Sequence, residues 1–493
     1  MRLTKLLLDV PVEEIIYGGD SYERDIYAVC TDSRKIAENG LFVCLSGGNV
    51  DGHLFAREAV NNGAVAVVCE RKLDVSVPQV VVKDTRETLA LIASAFYGYP
   101  AERLKIIGVT GTNGKTTTAN TLAFILNACG KKTGVIGTLG VFYADKFIPS
   151  ELTTPDPLFL HKAFAKMLAD DIEYVVMEVS AHALYYKKTA GIPFAFGIFT
   201  NLSQDHLDFF GNMDAYKRAK MQLFAQKNCK TAIVNGDDEV GREIGALREK
   251  SGEKTIYYGL DSPADAFAII THEDLYGSES VFNVNDKLSR VSLRLLGKHN
   301  VYNALSAVTC ATELGIRIEE CAWVLKSFTG VNGRLQRVAT YKKADVFVDF
   351  AHTPDGLEKS LTAMQSHCKK RLICLFGCGG NRDKSKRPIM GETVAKLCDF
   401  AVLTSDNPRF EDPLDILSDI ERGYRRFSKN YVVVSDRRTA IGYALDYLKE
   451  GDALLVAGKG GEVYQEIMGI KYPFNDNDII EKMIKEREKL PDF

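Results

Sequence analysis

The sequence predicts an α/β protein of three domains, and three observations support this. Its 493 residues are enough for about three domains of ordinary size. A glycine-rich loop follows an apolar strand and precedes a helix near residue 110. Short apolar runs then alternate with helix-length spacers. We expect a small α/β N-terminal domain, a central P-loop ATPase-type parallel sheet with helices, and a C-terminal Rossmann-like doubly wound domain.

Composition excludes several classes of protein. Lys plus Arg number 62 and Asp plus Glu 65, so the net charge of −3 gives no bulk attraction for nucleic acid or an anionic membrane. The eleven cysteines include no CxxC pair and are expected to be reduced core residues. No apolar run approaches the roughly 18 residues that span a bilayer, and Asp9 interrupts the short apolar start. We expect a cytoplasmic protein.

The N-terminal domain is expected to cover residues 1–101. Short β-rich runs at 40–45 and 65–69 surround helix-like stretches. Gly98 and Pro100 disfavour continuation of the helix before them, which predicts a boundary there.

The central domain is expected to cover residues 102–334 and to begin with a phosphate site. The apolar strand 104–109 leads into a compact loop and then a helix over 117–128. Glycines let backbone N–H groups point at phosphate oxygens, Lys115 neutralises phosphate charge, and the Thr116 hydroxyl can ligate Mg²⁺. Val109 stands where a strict Walker A motif has its first glycine. The loop residues are Gly111, Thr112, Asn113, Gly114, Lys115, Thr116 and Thr117.

Glu178 ends the apolar run 174–177 and is a candidate metal ligand. A carboxylate at the C-terminal end of a strand faces the crevice where ligands bind in open α/β sheets. The alternative is a surface glutamate that caps a strand.

Lys220 is predicted to lie on a buried helix face. At helical spacing it shares that face with Tyr216 and Leu223, whereas Lys217 and Arg218 lie off it. Burial of an ammonium group is costly, so Lys220 should be paired or chemically altered.

The C-terminal domain, 335–493, carries apolar runs at 345–349, 371–376, 400–403, 431–434 and 453–456. These predict a doubly wound sheet. Arg382 stands where the third glycine of a GxGxxG fingerprint would be, which argues against a nicotinamide site.

Taken together, the motifs resemble the Mur ligases of peptidoglycan synthesis, nearly along the whole chain and in order. The stretches that carry the resemblance are GTNGKTTT at 111–118, EVS at 178–180, DHLD at 205–208, Tyr216 with Ala219-Lys220, Asn300 to Asn303, Gly333-Arg334, AHTPD at 351–355 and DNPR at 406–409.

The resemblance implies an ATP-dependent amide ligase that works through an acyl-phosphate. It implies two Mg²⁺ ions, held by Thr116, Glu178 and His206, and a lysine at 220 that CO₂ carbamylates into a support for the metal. Lys115, Lys220 and His206 would be the catalytic residues. The nucleotide site would add Asn300, Asn303, Arg334, Asp349 and His352 to the loop residues.

The resemblance also implies the other substrates, UDP-MurNAc-L-Ala-D-Glu and meso-diaminopimelate, and we expect a monomer with no nucleic-acid or membrane partner. Arg409 would bind the distal carboxylate of diaminopimelate, unless it merely pairs with Glu411 or Asp412. The nucleotide-sugar site would contain Ser33, Arg34, Thr153, Thr154, Ser180 and Lys188. The amino-acid site would contain Arg382, Asp406, Asn407, Pro408, Arg409, Gly458 and Glu462.

Four positions depart from the family pattern. Gln336 replaces a usual glutamate, Phe350 a tyrosine, Lys188 an arginine and Gly461 a histidine. These departures affect contacts at the substrate ends, and they leave meso-lanthionine or L-lysine open as the added amino acid.

Two other readings remain open. A folylpolyglutamate-type ligase would share the P-loop but lack the stretch 153–155 and a separate first domain. A non-enzymatic ATP-gated module would leave Lys220 and the stretch 406–409 without a role.

Overall fold

The structure is a computed structural model that describes residues 1–17, 23–47, 50–225 and 228–489. Helices and strands alternate along most of the chain. The helices are α1 (Leu3–Leu6), α2 (Ala56–Asn61), α3 (Thr85–Phe96), α4 (Lys115–Ala128), α5 (Pro157–Ala169), α6 (Ala181–Tyr185), α7 (Leu207–Phe210), α8 (Met213–Met221), α9 (Glu239–Lys250), α10 (Lys298–Glu313), α11 (Ile318–Leu325), α12 (Pro354–Gln365), α13 (Lys386–Leu397), α14 (Pro413–Tyr424), α15 (Arg437–Tyr447) and α16 (Asp476–Glu488). The strands are β1 (Val12–Ile16), β2 (Ala28–Cys30), β3 (Gly40–Val43), β4 (Ala64–Cys69), β5 (Gln79–Val82), β6 (Lys105–Thr110), β7 (Thr133–Gly137), β8 (Gly140–Tyr143), β9 (Lys146–Ile148), β10 (Tyr174–Glu178), β11 (Phe194–Phe199), β12 (Cys229–Asn235), β13 (Thr255–Gly259), β14 (Ala266–Asp274), β15 (Gly277–Val284), β16 (Lys287–Leu293), β17 (Gln336–Tyr341), β18 (Ala344–Asp349), β19 (Leu372–Phe376), β20 (Phe400–Leu403), β21 (Tyr431–Val433), β22 (Ala453–Ala457), β23 (Tyr464–Ile467) and β24 (Ile470–Pro473).

The chain divides into two compact units. The first contains residues 1–110, 131–197 and 219–231, and the second contains 111–130, 198–218 and 232–493.

The first unit opens with a five-stranded sheet in the order β1-β5-β4-β3-β2. β2 to β5 are parallel and β1 is antiparallel to β5. Apolar side chains from alternate positions fill a core on each face, because successive residues of a strand point to opposite sides.

Also in the first unit, β10 lies between β6 and β7 and is parallel to both. This arrangement leaves Glu178 at the C-terminal end of β10, paired in register with Val109. β8 and β9 continue from β7 as antiparallel strands. The predicted apolar runs at 104–109 and 174–177 are therefore strands, within one residue of their predicted ends.

The second unit contains a six-stranded sheet in the order β17-β18-β22-β19-β20-β21. Its strands are parallel except for β17, which pairs antiparallel with β18. Cys374 and Phe376 of β19 face α12, α13 and α14, whereas Ile373 and Leu375 face α15 and α16. The predicted doubly wound fold is confirmed.

Other strands of the second unit differ from the mostly parallel pattern expected of the central region. β12, β13 and β14 are parallel, but β14, β15 and β16 form an antiparallel meander. The helix predicted over 117–128 begins at Lys115, because the glycine at 114 takes a left-handed conformation with φ of 86° and lets the helix start directly after the loop. Within the described residues, no helix is both long enough and apolar enough to span a bilayer.

Candidate active site

The phosphate loop is held in shape by the segment 200–203 of the second unit. The Thr112 N–H donates to the Asn201 carbonyl at 2.8 Å, and the Asn113 N–H donates to the Asn201 side-chain oxygen at 3.0 Å. Gly111 has φ of 149°, and a Cβ there would lie 1.9 Å from the Thr200 hydroxyl oxygen. Only glycine fits this position, because any side chain would collide with Thr200.

Lys115, the first residue of α4, folds its side chain back over the loop. Its Nζ donates to the carbonyl oxygens of Gly111 and Thr112, both at 2.8 Å. The ammonium group and the N-terminus of α4 thus lie at the same loop, which is the arrangement that binds a polyphosphate.

Arg334 contacts the phosphate loop from the end of the central region. Its Nη2 donates to the Thr116 hydroxyl at 3.0 Å, and its guanidinium lies over the Phe350 ring, 4.3 Å from the centroid. The stacking uses the ring face, so the hydroxyl of the tyrosine expected at 350 from the resemblance is not needed for this contact. Gln336 accepts from the Gly333 N–H at 2.8 Å and so steadies the turn before Arg334.

Asp349 is buried at the end of β18, beside Phe350. The Ser360 hydroxyl donates to its carboxylate at 2.5 Å. Burial raises the pKa of Asp349, and the hydrogen bond from Ser360 and the charge of Arg334 partly offset that. Burial has the opposite effect on a histidine and lowers the pKa of His352. The Nδ1 of His352 lies 2.8 Å from the Phe350 carbonyl oxygen.

Asn303 of α10 lies against the phosphate loop. A Cβ at Gly114 would be 2.4 Å from its side-chain oxygen, and that oxygen accepts from the Thr118 hydroxyl at 3.3 Å. Asn300 accepts from the Asn303 amide at 3.2 Å and donates to the Leu296 carbonyl at 2.8 Å. The two predicted asparagines thus lie together at the N-terminal end of α10, where Asn303 contacts the phosphate loop.

Asp355 links the phosphate loop to α12, and sequence reasoning gave it no role. Its carboxylate accepts from the Asn113 amide at 2.5 Å, from the Ser203 hydroxyl at 3.1 Å and from the Lys359 ammonium at 2.9 Å. Asp355 ends the stretch 351–355 that was noted as a motif, so its place in the sequence was a signal that could have found it.

His206 has a left-handed backbone, with φ of 55°, at the start of α7. Its Nε2 lies 3.4 Å from the buried carboxylate of Asp205, and Lys386 of α13 lies 3.8 Å from the same carboxylate. Burial tends to raise the pKa of Asp205, but the charges of His206, Lys386 and His352 outweigh it and lower that pKa to about 2.

In the first unit, Glu178 is buried and bound by Thr138. The Thr138 N–H donates to one carboxylate oxygen at 2.9 Å and its hydroxyl to the other at 3.2 Å. A Cβ at Gly137 would lie 2.1 Å from the nearer oxygen, so the carboxylate rests directly on the backbone. Thr138 was missed, although it follows β7 at the same sheet edge as Glu178.

The predicted nucleotide-sugar residues Thr153, Thr154 and Ser180 gather beside Glu178. The Thr154 hydroxyl donates to the Glu178 carbonyl and accepts from the Ser180 N–H, both at 2.9 Å. Thr153 lies 3.1 Å from Thr138, hydroxyl to hydroxyl. Lys188, where the resemblance led us to expect an arginine, pairs with Asp156 at 2.7 Å.

Two further predicted residues, Lys220 and Arg34, belong to the first unit. Lys220 is 1% exposed and Tyr216, Leu223 and Phe224 are also buried, which confirms the predicted burial of its helix face. Arg34 is exposed and bonds the Asp32 carboxylate through two nitrogens, both at 2.9 Å. That hydrogen bond lowers the pKa of Asp32 to about 2.

The predicted amino-acid residues lie on loops after β20 and β22. Asn407 donates to the Glu462 carboxylate at 2.9 Å, and the fully buried Lys459 donates to the Asn407 oxygen at 3.0 Å and to Glu462 at 2.9 Å. Lys459 was missed, although it stands between two loop glycines. Asp406 and Pro408 are buried beside Asn407. Gly458 has φ of 113°, and a Cβ there would collide with the Asp406 carboxylate. Arg382 is exposed.

Arg409 does not pair with Glu411 or Asp412, the partners that a purely structural role would have given it. Its Nε lies 3.2 Å from the Glu466 carboxylate and its Nη1 donates to the Gly380 carbonyl at 2.8 Å. Glu411 instead pairs with Arg387 and Lys384.

No group of three or more His, Cys, Asp or Glu side chains suited to a metal occurs among the described residues. Mg²⁺ commonly takes one or two protein oxygens together with phosphates and water, so it does not need such a group. The Thr116 hydroxyl and the Glu178 carboxylate have the oxygen chemistry that Mg²⁺ prefers.

Three family models match the chain. The Mur ligase family catalytic domain matches residues 25–97, the Mur ligase middle domain 109–311, and the Mur ligase glutamate ligase domain 333–460. The curated UDP-N-acetylmuramoyl-L-alanyl-D-glutamate--2,6-diaminopimelate ligase of Geobacillus kaustophilus is 40% identical, over 99% of this chain and 100% of its own length.

Solved structures agree in fold. A structure of a UDP-N-acetylmuramoyl-L-alanyl-D-glutamate--2,6-diaminopimelate ligase is 30% identical, with a TM-score of 0.70 over 99% of this chain and 100% of that one. The MurF ligase of Thermotoga maritima, solved in complex with ADP, is 21% identical with a TM-score of 0.61 over 94% and 98% of the two chains.

Proposed function

This chain belongs to the Mur ligase family, and from that premise we propose that it joins meso-diaminopimelate to the D-Glu side-chain carboxylate of UDP-MurNAc-L-Ala-D-Glu. ATP is converted to ADP and phosphate in the reaction. One observation carries the proposal: the loop residue Arg409 has a half-buried guanidinium beside the network of Asn407, Lys459 and Glu462. A guanidinium is the group that binds a second carboxylate bidentately, and diaminopimelate differs from lysine by that carboxylate.

The first chemical step transfers the γ-phosphoryl group of ATP to the D-Glu carboxylate and releases ADP. Positioning and charge neutralisation dominate such transfers. Lys115 supplies an ammonium group at the loop, and Arg334, held over Phe350, supplies a guanidinium beside Thr116. Gly111, Thr112, Asn113, Gly114, Thr117, Asn300, Asn303, Asp349 and His352 complete the proposed nucleotide site.

In the second step the amine of diaminopimelate attacks the acyl carbon, phosphate leaves, and the amine loses a proton as the amide forms. Arg409, Asn407 and Glu462 orient the far end of the amino acid, and Arg382 lies on the exposed loop before α13 where it can meet the carboxylate near the attacking amine. Asp406, Pro408 and Gly458 shape the same pocket.

Two Mg²⁺ ions are part of the proposal. Thr116, Glu178 and His206 would hold them, with Lys220 carbamylated by CO₂ as their support. When bound, the ions would neutralise phosphate charge. The burial of Lys220 supports this role, because a carbamate would replace a buried cation by an anion that the Mg²⁺ ions can pair with.

The remaining assignments are also proposals. Ser33, Arg34, Thr153, Thr154, Ser180 and Lys188 would bind the nucleotide sugar. We propose domains over 1–101, 102–334 and 335–493. Residues 18–22, 48–49, 226–227 and 490–493 of these ranges lie outside the described residues. We also propose a monomer that works in the cytoplasm without a nucleic-acid or membrane partner.

The test is the mass of the product formed from ATP, UDP-MurNAc-L-Ala-D-Glu and one amino acid at a time. The amino acids are meso-diaminopimelate, meso-lanthionine and L-lysine. We expect the diaminopimelate adduct to form fastest, with continuous release of ADP only when both acceptor and amino acid are present. Lys115→Ala is the inactive control. A preference for lysine or lanthionine would overturn the amino-acid assignment, and ADP release without an acceptor would overturn the ligase.

A further inference from the structure

α13 begins with two buried cations in succession, and they differ in how they are paired. The Arg387 guanidinium donates to both carboxylate oxygens of Glu411 at 3.0 Å and to Asp419 at 3.1 Å. Lys386 is also buried, with 7% of its side chain exposed, but its ion pair with Asp205 spans 3.8 Å. Among the described residues, no group lies within hydrogen-bonding distance of the Lys386 ammonium. The fold thus buries a positive charge whose hydrogen bonds its own side chains do not satisfy.

The carboxylate of Asp205 is shared among several positive groups. The Nε2 atom of His206 lies 3.4 Å from it, and the charges of Lys386 and His352 also act on it and lower its pKa. Lys386 is moreover the first residue of α13, where the N-terminus of a helix adds positive potential. One carboxylate therefore does not balance the cations around it, and the surroundings of Lys386 are suited to an anion.

Lys386 lies between the two parts of the proposed reaction site. On one side, Asp205 follows Ser203, whose N–H donates to the Thr112 hydroxyl of the phosphate loop at 3.0 Å. On the other side is Cys378, in the loop between β19 and α13 that was assigned to the amino acid. Burial raises the pKa of the Cys378 thiol, and the charge of Lys386 opposes that rise. An acyl-phosphate has to lie where these two parts of the site meet.

We infer that Lys386 binds the phosphate group of the acyl-phosphate and then the phosphate that leaves. This inference rests on the proposed function. When the amine attacks, the bond from the acyl carbon to the bridging oxygen breaks, and its electron pair stays with the phosphate. The phosphate finally takes the proton that the amine loses. Negative charge on the phosphate grows as the bond breaks, and an ammonium group without a hydrogen-bond acceptor of its own can donate to it.

The test measures phosphate binding directly. Inorganic phosphate is used as a product inhibitor in the presence of ADP, and its inhibition constant is compared with that of ADP. Both constants are determined for wild type, Lys386→Met, Lys386→Gln and Lys386→Arg, together with kcat, the KM values and the melting temperature. Lys396→Met, which removes an exposed ammonium group paired with Glu392 on the same helix, is the matched control.

We expect Lys386→Met and Lys386→Gln to raise the inhibition constant of phosphate at least about tenfold, because a charge-assisted hydrogen bond is lost. The inhibition constant of ADP should change by less than about threefold. kcat should fall by about 100-fold, the effect of removing one donor from an oxyanion site, while the KM values for ATP and diaminopimelate stay near those of wild type. Lys386→Arg keeps a positive charge and should recover part of both losses.

Two results would overturn the inference. The first is an unchanged inhibition constant for phosphate in Lys386→Met and Lys386→Gln. The second is an equal rise for phosphate and ADP together with a lower melting temperature, which would mean that Lys386 only joins α13 to Asp205. A wild-type protein that forms no amide product with any of the three amino acids would instead refute the proposed function, so the two failures can be told apart.

Discussion

Arg334 donates a hydrogen bond to the Thr116 hydroxyl at 3.0 Å, although 218 positions separate the two residues in the chain. The same guanidinium stacks on Phe350, so one side chain connects the phosphate loop with the first strands of the C-terminal sheet. Both contacts lie within the second unit. The position of the Arg334 guanidinium at the phosphate loop is therefore determined by its contact with Phe350, at the start of the C-terminal region.

Replacement of Arg334 should remove catalysis while leaving the fold intact. We expect Arg334→Ala to lower kcat by about 1,000-fold, the size of effect that an arginine beside a transferring phosphoryl group has. Arg334→Lys should recover little, because an ammonium cannot stack on Phe350 and bond Thr116 in the same way. Phosphate release at saturating substrates measures this. Arg337→Ala, which breaks an ion pair with Asp345 at the edge of the sheet, is the control; equal losses in both variants would argue against a specific role.

Lys220 should be needed for its buried polar group and not for its bulk. We expect Lys220→Ala to lower turnover by about 100-fold, typical for loss of a group that orients metal ligands. Excess bicarbonate or a short-chain carboxylate should partly restore it, because either can replace a carbamate. Lys217→Ala, on the same helix and paired with Glu243, should keep wild-type activity. Full activity of Lys220→Ala would refute the proposed carbamylation.

Arg409 should govern use of diaminopimelate without affecting ATP. Loss of a buried charge-assisted contact costs about 2–5 kcal/mol, so Arg409→Ala should lower kcat/KM for diaminopimelate by at least about thirtyfold. The KM for ATP should not change. Arg425→Ala, which removes a surface arginine paired with Glu421, is the matched control. Diaminopimelate kinetics that stay at the wild-type level in Arg409→Ala would show that the pocket is assigned wrongly.

Gly137→Ala should displace Glu178, because the new Cβ would lie 2.1 Å from a carboxylate oxygen. We expect turnover to fall by about tenfold or more, as small displacements of catalytic groups commonly cause. The variant should also require more Mg²⁺ for half-maximal activity. Gly236→Ala has ordinary van der Waals room, 3.6 Å to the nearest atom, and serves as the control. An unchanged Mg²⁺ requirement would mean that Glu178 does not bind the metal.

His161 of α5 should make the fold sensitive to acid. It is fully buried, and neither ring nitrogen has a hydrogen-bond partner among the described residues. Burial lowers its pKa from 6.5 to about 4. Between those two pH values the unfolded chain binds a proton that the folded chain excludes. Stability is therefore fully retained above pH 6.5 and is lost as the pH falls, by up to about 1.4 kcal/mol per unit.

His161→Leu should remove this acid-dependent loss and should also raise stability at pH 7.5 by about 1–2 kcal/mol, because two unpaired polar atoms are replaced by an apolar side chain. Melting temperatures at pH 7.5 and 5.5 measure both effects. His272→Leu changes an exposed histidine and should alter neither. A destabilised His161→Leu would indicate that the imidazole has a polar partner.

Much of the fold and part of the site were set by local sequence. The alternation of apolar residues in β19 and β22 fixes which side chains face each layer of helices, because the side-chain period of a strand is two. Helical spacing likewise put Lys220 on the buried face of its helix. The phosphate loop could be predicted from the sequence because its glycines and its lysine contact residues only a few positions away in the chain.

Contacts between distant segments were decided by tertiary structure alone. Asp355 meets Asn113 across 242 positions, and Glu466 meets Arg409 through a hairpin that carries no motif. The antiparallel β17 and the meander of β14 to β16 were also unforeseen, since a strand's sequence pattern does not specify the direction of its neighbour. Periodicity and loop chemistry depend on the nearest residues and can be read along the chain. The partners of Arg334, Asp355 and Arg409 depend on how separate elements pack, which no local pattern encodes.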